Sequence, residues 1–212
     1  RSTWESGLQS FLDGHLDLAR QAMEELNYQI IEFQDTSQDH SSNYFVFQEK
    51  SSRTNYWGAY VFTVDPLRRQ LILQIPHPVY DSKTGYQGAY CFKRLSAGAF
   101  FLSGTHRCNS TLESTCSGTT TACSSTSAPY RISDNAHNTN SIFQVTTEVV
   151  FHTYANSKFV QLHGFAKNGT DPYVIMSNGT RVTPEEDYIA LLREQLSIAD
   201  PGLTFKVAHI DL

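Results

Sequence analysis

Charge is scarce in this sequence. Asp, Glu, Lys and Arg supply only 17% of 212 residues, and acids outnumber bases to leave a formal net charge of −5. A polybasic nucleic-acid or membrane-surface binder needs an excess of Lys and Arg, so both classes are excluded. Long apolar runs are missing too. No stretch of about 18 apolar residues occurs, so no segment suits a membrane-spanning helix. There is no Gly-rich loop of the Walker or dinucleotide type, which leaves nucleotide binding without support. Gly-x-Ser-x-Gly is also missing, which removes the simplest serine-hydrolase reading. The four cysteines never form Cys-x-x-Cys, an argument against a thiolate zinc site or a thioredoxin-type motif.

What is present is enough for one good core: 40% hydrophobic and 12% aromatic residues. That size and composition predict a single domain over residues 1–212, α/β or β in class. The missing charge has gone into Ser, Thr, Asn, Gln and Tyr, a polar uncharged surface common outside the cell. The chain opens at Arg1 with no apolar signal region, so the expectation is a processed segment of a longer precursor.

Three of the cysteines, Cys108, Cys116 and Cys123, fall within 16 residues, and the fourth is Cys91. Twelve of the 22 residues from Cys108 to Pro129 are Ser or Thr, so residues 108–130 read as a polar loop without a core of its own. Disulfides are the natural clamp for such a loop. A neighbouring pair such as Cys116 with Cys123 is plausible, although four cysteines allow three connectivities. Asn-x-Ser/Thr sequons stand at Asn109, Asn168 and Asn178, each in Gly- or Ser-rich sequence suited to an exposed loop. Together these features predict an extracellular, secreted glycoprotein.

Helical spacing runs from Trp4 to Leu26, with an acidic rather than basic polar face that suits core packing better than membrane docking. Four strands follow, around Ile30–Phe33, Tyr44–Phe47, Tyr60–Val64 and Gln70–Ile75, the last stopped by Pro76-His77-Pro78. Beyond it strands alternate with helices: a helix over Thr84–Leu95, a strand at Ala99–Leu102, a helix over Ser141–Ala155 and strands at Lys158–Leu162 and Tyr173–Met176. Thr183-Pro184-Glu185-Glu186 carries the signature of a helix start, running to about Ile198. A strand from Leu203 to Leu212 then closes the chain. This alternation predicts a mixed, mostly parallel sheet flanked by helices.

Four polar clusters sit at the predicted carboxyl ends of strands, where α/β sheets usually build their sites. They are Ile75–Asp81, Gly104–Arg107, Ser133–His137 and Leu162–Phe165. His77, Asp81 and His163 make a two-imidazole, one-carboxylate set of the kind that holds catalytic zinc with a position left open. Such an ion lowers the pKa of water and polarises a carbonyl. Arg107, with His106 beside it, would hold a substrate carboxylate. Asp134 and His137 would orient the ligands from behind.

This succession resembles divergent zinc carboxypeptidase-like hydrolases: a His-bearing strand end, Gly-Thr-His-Arg, Ser-Asp-x-Ala-His and a strand ending in His-Gly. The family is the carboxypeptidase A superfamily, including its poly-γ-glutamate-hydrolase-like branch, and the resemblance covers roughly His77 to Phe165. It implies His77 as the first zinc ligand and His163 as the last. The family's His-x-x-Glu carboxylate is replaced here, since position 80 is Tyr and the nearest acid is Asp81. Arg107 occupies the general place of the substrate-carboxylate arginine. Asp211 is the closest counterpart of the catalytic glutamate. The resemblance therefore implies a secreted zinc-dependent hydrolase of peptide or amide bonds near a carboxylate. The competing reading is a non-catalytic extracellular glycoprotein that uses the scaffold for binding or for self-assembly into a homo-oligomer, filament or surface layer. The Ser/Thr-rich loop and the shortened carboxylates favour it.

Overall fold

The computed structural model describes residues 1–37, 41–52, 54–180 and 182–211. The chain divides into two compact units, residues 1–164 and 165–212, each taken by itself below.

The first unit opens with helices α1 (Ser2–Leu12) and α2 (Leu16–Glu25). The single helix expected from Trp4 to Leu26 is thus two, broken where Gly14 takes φ +86°, a left-handed conformation that glycine adopts without a Cβ clash. Strands β1 (Tyr28–Asp35), β2 (Ser42–Glu49), β3 (Ala59–Thr63) and β4 (Arg68–Ile75) come next, then α3 (Thr84–Leu95) and β5 (Ala97–Leu102). The Ser/Thr-rich segment holds only the two-residue strands β6 (Thr119–Thr120) and β7 (Ala128–Pro129). Helix α4 (Ile142–Thr153) and strand β8 (Lys158–Gln161) complete the unit. The Ser141 hydroxyl caps α4 by accepting from Gln144 N at 3.1 Å.

The main sheet is six-stranded, in the order β1-β2-β3-β5-β4-β8. It is α/β and mixed, as expected, but three neighbouring pairs (β1–β2, β2–β3 and β3–β5) are antiparallel. Only β4–β5 and β4–β8 are parallel. Alternating residues feed two cores. Ile72, Ala99 and Phe101 face α1, α2 and α4, joining Trp4, Leu8, Met23, Phe143 and Val150. Leu73, Ile75 and Phe100 face the other way, onto Phe92 of α3. Helices thus flank both faces, as the period-2 alternation requires. Trp4 is fully buried and donates its indole N–H to Thr146 Oγ1 at 2.9 Å, tying α1 to α4.

The second unit contains β9 (Val174–Met176), α5 (Tyr188–Ala199), β10 (Phe205–Val207) and α6 (Ala208–Asp211), with β9 and β10 paired in parallel. Two expectations are corrected here. Helix α5 begins at Tyr188 rather than after Thr183, because Asp187 supplies the cap, accepting from Ala190 N at 2.9 Å. The terminal strand stops at Val207 and turns into α6, whose Asp211 carboxylate accepts from Val207 N at 2.8 Å. Leu212 lies outside the described residues.

The cysteines are also resolved. Cys108 and Cys123 form a disulfide with their Cα atoms 5.3 Å apart, while Cys91 and Cys116 are free thiols. The suggested Cys116–Cys123 pair is therefore not made. The disulfide fits a secreted protein. Among the described residues no helix is long and apolar enough to cross a membrane. Of the sequon residues, Asn109 and Asn168 are exposed. Asn178 is half-buried and spends its amide nitrogen on Val182 O at 3.0 Å.

Candidate metal centre

The first unit's candidate ligands come from two neighbouring parallel strands. Strand β4 ends at Ile75, and the prolines on either side of His77 stop the ladder. The chain then makes one helical turn, with Asp81 N donating to His77 O at 2.7 Å. An i, i+4 spacing brings both side chains to the same side of that turn. Strand β8 pairs with β4 in register, Gln74 opposite Gln161, so His163 emerges two residues past β8 beside the same turn.

One ligand atom from each of His77, Asp81 and His163 lies within 4.8 Å of the others. His77 and Asp81 are almost wholly buried, and the His163 side chain is 42% exposed, which opens the group to solvent on one side. Asp81 Oδ2 stands 3.5 Å from His77 Nδ1 and 3.3 Å from His163 Nδ1. Among the described residues neither His77 Nδ1 nor Asp81 Oδ2 has a hydrogen-bond partner.

The opposite face of His77 explains why. His77 Nε2 lies 2.7 Å from Asp134 Oδ1, and His137 Nδ1 lies 3.1 Å from the same oxygen. Arg107 donates Nε and Nη2 to Asp134 Oδ2 at 3.1 and 2.5 Å. Burial works against ionisation of Asp134, yet bonds from His137 and His77 and the charges of His77 and Arg107 outweigh it and hold the carboxyl well below its usual range. An ionised carboxylate only accepts, so His77 Nε2 is the N–H donor and, in the neutral ring, Nδ1 carries a bare lone pair. In that form the lone pair faces Asp81 Oδ2 with no proton to share. Two buried acceptors confronting each other are costly unless a cation joins them. Burial, with His77 beside it, also holds His163 below the ordinary imidazole value, favouring its neutral, ligand-competent form, while Asp81 pulls the other way.

The other predicted residues divide. Asp134 and His137 stand behind His77, with the His137 ring stacked on Tyr130 at 3.7 Å between centroids. Arg107 reaches the cluster but commits its Nε–Nη2 edge to Asp134 rather than presenting it free. Arg107 and His106 both lie against the Tyr80 ring, at 5.4 and 5.3 Å. Asp211 belongs to the second unit, where its carboxylate caps Val207. Sequence reasoning passed over Gln161, whose Oε1 lies 3.3 Å from His163 Nε2. The available signal was its position two residues before His163 on a strand, which puts both on one face.

No protein-family model matches the chain, and neither curated proteins nor solved structures give a match to it.

Proposed function

We propose that the first unit binds zinc through His77 Nδ1, Asp81 Oδ2 and His163 Nδ1 and hydrolyses a peptide or amide bond near a carboxylate, like the zinc carboxypeptidase-like hydrolases it resembles. The observation that carries this reading is the buried, unpartnered pair His77 Nδ1 and Asp81 Oδ2, 3.5 Å apart, with His163 open to solvent beside it. Two imidazoles and one carboxylate are a usual catalytic zinc set and leave a coordination position free. Zinc held there supplies Lewis-acid polarisation of a carbonyl and a hydrolytic nucleophile at neutral pH.

The chain's own residues do the rest. Asp134 fixes the His77 ring with Nδ1 toward Asp81, and Arg107 and His137 hold Asp134 in turn. With Nε and Nη2 committed to Asp134, Arg107 keeps Nη1 for a substrate carboxylate, and His106 is the second polar group on the Tyr80 ring.

Metal analysis of the purified full-length protein by mass spectrometry, with zinc titration, tests the reading. The expected result is one zinc per chain, lost in His163→Ala, a half-exposed position whose removal leaves the core intact. Absence of stoichiometric zinc under saturating conditions overturns the hydrolase and returns the chain to the self-assembling extracellular reading, which spontaneous filament or sheet formation would then support.

A further inference from the structure

The far nitrogen of His163 is the last link in a row of hydrogen bonds that starts inside α4. Thr147 Oγ1 donates to the carbonyl of Phe143 at 2.9 Å, a group that only accepts. The hydroxyl proton is thereby committed, and Thr147 Oγ1 accepts from Gln74 Nε2 at 2.7 Å. Gln74 must then turn its Oε1 outward, where it accepts from Gln161 Nε2 at 3.0 Å. Gln161 in turn presents Oε1 to His163 Nε2 at 3.3 Å. Reversing either amide would set oxygen against oxygen or nitrogen against nitrogen within the row, so its polarity propagates from helix to imidazole. The row ends on an acceptor, which the ring nitrogen satisfies only as Nε2–H, while Nδ1 faces Asp81 Oδ2 at the same 3.3 Å.

Gln74 is an unusual residue for its position. It is 1% exposed in the central strand β4, between Leu73 and Ile75 of the core. An apolar side chain would meet ordinary strand packing there, whereas the amide has both its nitrogen and its oxygen engaged in this row. Gln161 stands directly opposite on β8, so the parallel register hands the bond from one strand to the next.

We infer that Gln74 and Gln161 are positioning residues that hold His163 in its Nε2–H tautomer, leaving Nδ1 as the bare atom facing Asp81. The inference rests on the zinc reading above. It extends to His163 the arrangement that Asp134 imposes on His77, with an amide relay in place of a carboxylate. Both imidazoles then offer the same nitrogen to one cation, each held from behind at Nε2.

The test uses the full chain. In the metal-free protein at pH 8, ring nitrogen chemical shifts of His163 report the tautomer directly. The native protein and Gln161→Glu, whose carboxylate is acceptor-only, are expected to show Nε2–H alone. Gln161→Leu and Gln74→Met are expected to show a mixture. Zinc affinity, read by chelator competition, should fall about 10- to 100-fold in Gln161→Leu and recover in Gln161→Glu. Gln161→Leu also leaves the buried Gln74 Oε1 without its donor, so a lower melting temperature is expected, and the His163 tautomer in the still-folded variant is the readout that a merely structural role would not move. A native His163 carrying its proton on Nδ1 overturns the inference, as does a Gln161→Leu variant with native tautomer or native zinc affinity. If the native protein takes up no zinc, the hydrolase proposal fails while the tautomer measurement still decides the relay.

Discussion

Replacing Asp134 by Asn removes one charge and one acceptor from the most connected side chain of the candidate site. The carboxylate is 2% exposed and serves four donors: His77 Nε2, His137 Nδ1, and Arg107 Nε and Nη2. Asn offers one oxygen. If that oxygen keeps Arg107, the amide NH2 points at His77 and His137, where two N–H groups already stand. Breaking a buried ion pair by neutralising one partner costs about 3–5 kcal/mol. The Arg107 side chain is 12% exposed and keeps one acceptor, so the lower end, about 3 kcal/mol, is the appropriate figure. With a urea slope of about 2 kcal/mol/M, this moves the unfolding midpoint down by about 1.5 M. A second effect is specific to the metal. An amide N–H aimed at His77 Nε2 favours the tautomer with its proton on Nδ1, the atom proposed as a ligand, so on the proposed reading zinc affinity should fall about 10- to 100-fold. Urea unfolding of the metal-free protein and chelator competition read the two effects separately. A midpoint within about 0.2 M of native refutes the buried-pair reasoning. Native zinc affinity in a destabilised Asp134→Asn refutes its role behind His77 and leaves it a structural residue.

The acid limb of stability should carry the mark of Asp35. Its carboxylate is bonded by Lys93 at 2.6 Å and by Ser37 N at 2.9 Å, and these hold its pKa down at about 2. A carboxyl lowered on folding stabilises the protein above its unfolded value of about 4 and loses that contribution as pH falls from about 4 to about 2; urea unfolding across pH 7 to 2 should therefore show a shallower acid limb in Asp35→Asn, and an unchanged limb would count against the assignment. Gly58→Ala should be among the most damaging small substitutions. Gly58 has φ +104°, and an added Cβ would fall 2.0 Å from Leu102 O and 2.8 Å from Gly104 N, so a loss of about 3 kcal/mol is expected by urea unfolding. A loss below about 0.5 kcal/mol would show that the Leu102–Gly104 backbone yields freely.

Legibility followed the physics of each signal. Helix α3 was read to its ends, Thr84 and Leu95, because apolar periodicity and flanking turns agree there. The long N-terminal helix was misread as continuous, since apolar spacing resumes after Gly14 and conceals the turn. A parallel sheet was overestimated because the alternation of strand and helix begins only at β4. Before it, β1, β2 and β3 follow one another through short loops, and such connections join antiparallel neighbours. The disulfide could not be read from spacing, because the choice of partner depends on which Cα atoms approach within about 4.4–6.8 Å. The candidate ligands were legible for the opposite reason. His77, Asp81 and His163 are polar groups at the ends of apolar strands, where contrast is highest. Gln74 was invisible: a single Gln inside a strand carries no motif, and only the pairing of β4 with β8 reveals its neighbour.

The mixed sheet accounts for the site's position. Strands β5, β4 and β8 are adjacent and parallel, so their carboxyl ends lie along one edge. The registers make them end nearly level, with Ile75 opposite Leu102 and Gln74 opposite Gln161. The residues just past those ends, His77, the segment from Ser103 to Arg107, and His163, are therefore neighbours by construction. The antiparallel strand β3 reaches the same edge by its amino end, with Ala59 opposite Leu102, and so brings Gly58 rather than a ligand. Had all neighbours been antiparallel, successive strand ends would alternate between edges and the two histidines would stand on opposite sides of the sheet. Two parallel pairs are thus sufficient to gather His77, Asp81 and His163, and the antiparallel half serves to bury Trp4, Phe47 and Phe62 in the core beneath it. A chain with so few charges can concentrate Asp81, Asp134 and Arg107 at this edge because the scaffold that places them is held by apolar packing rather than by ion pairs.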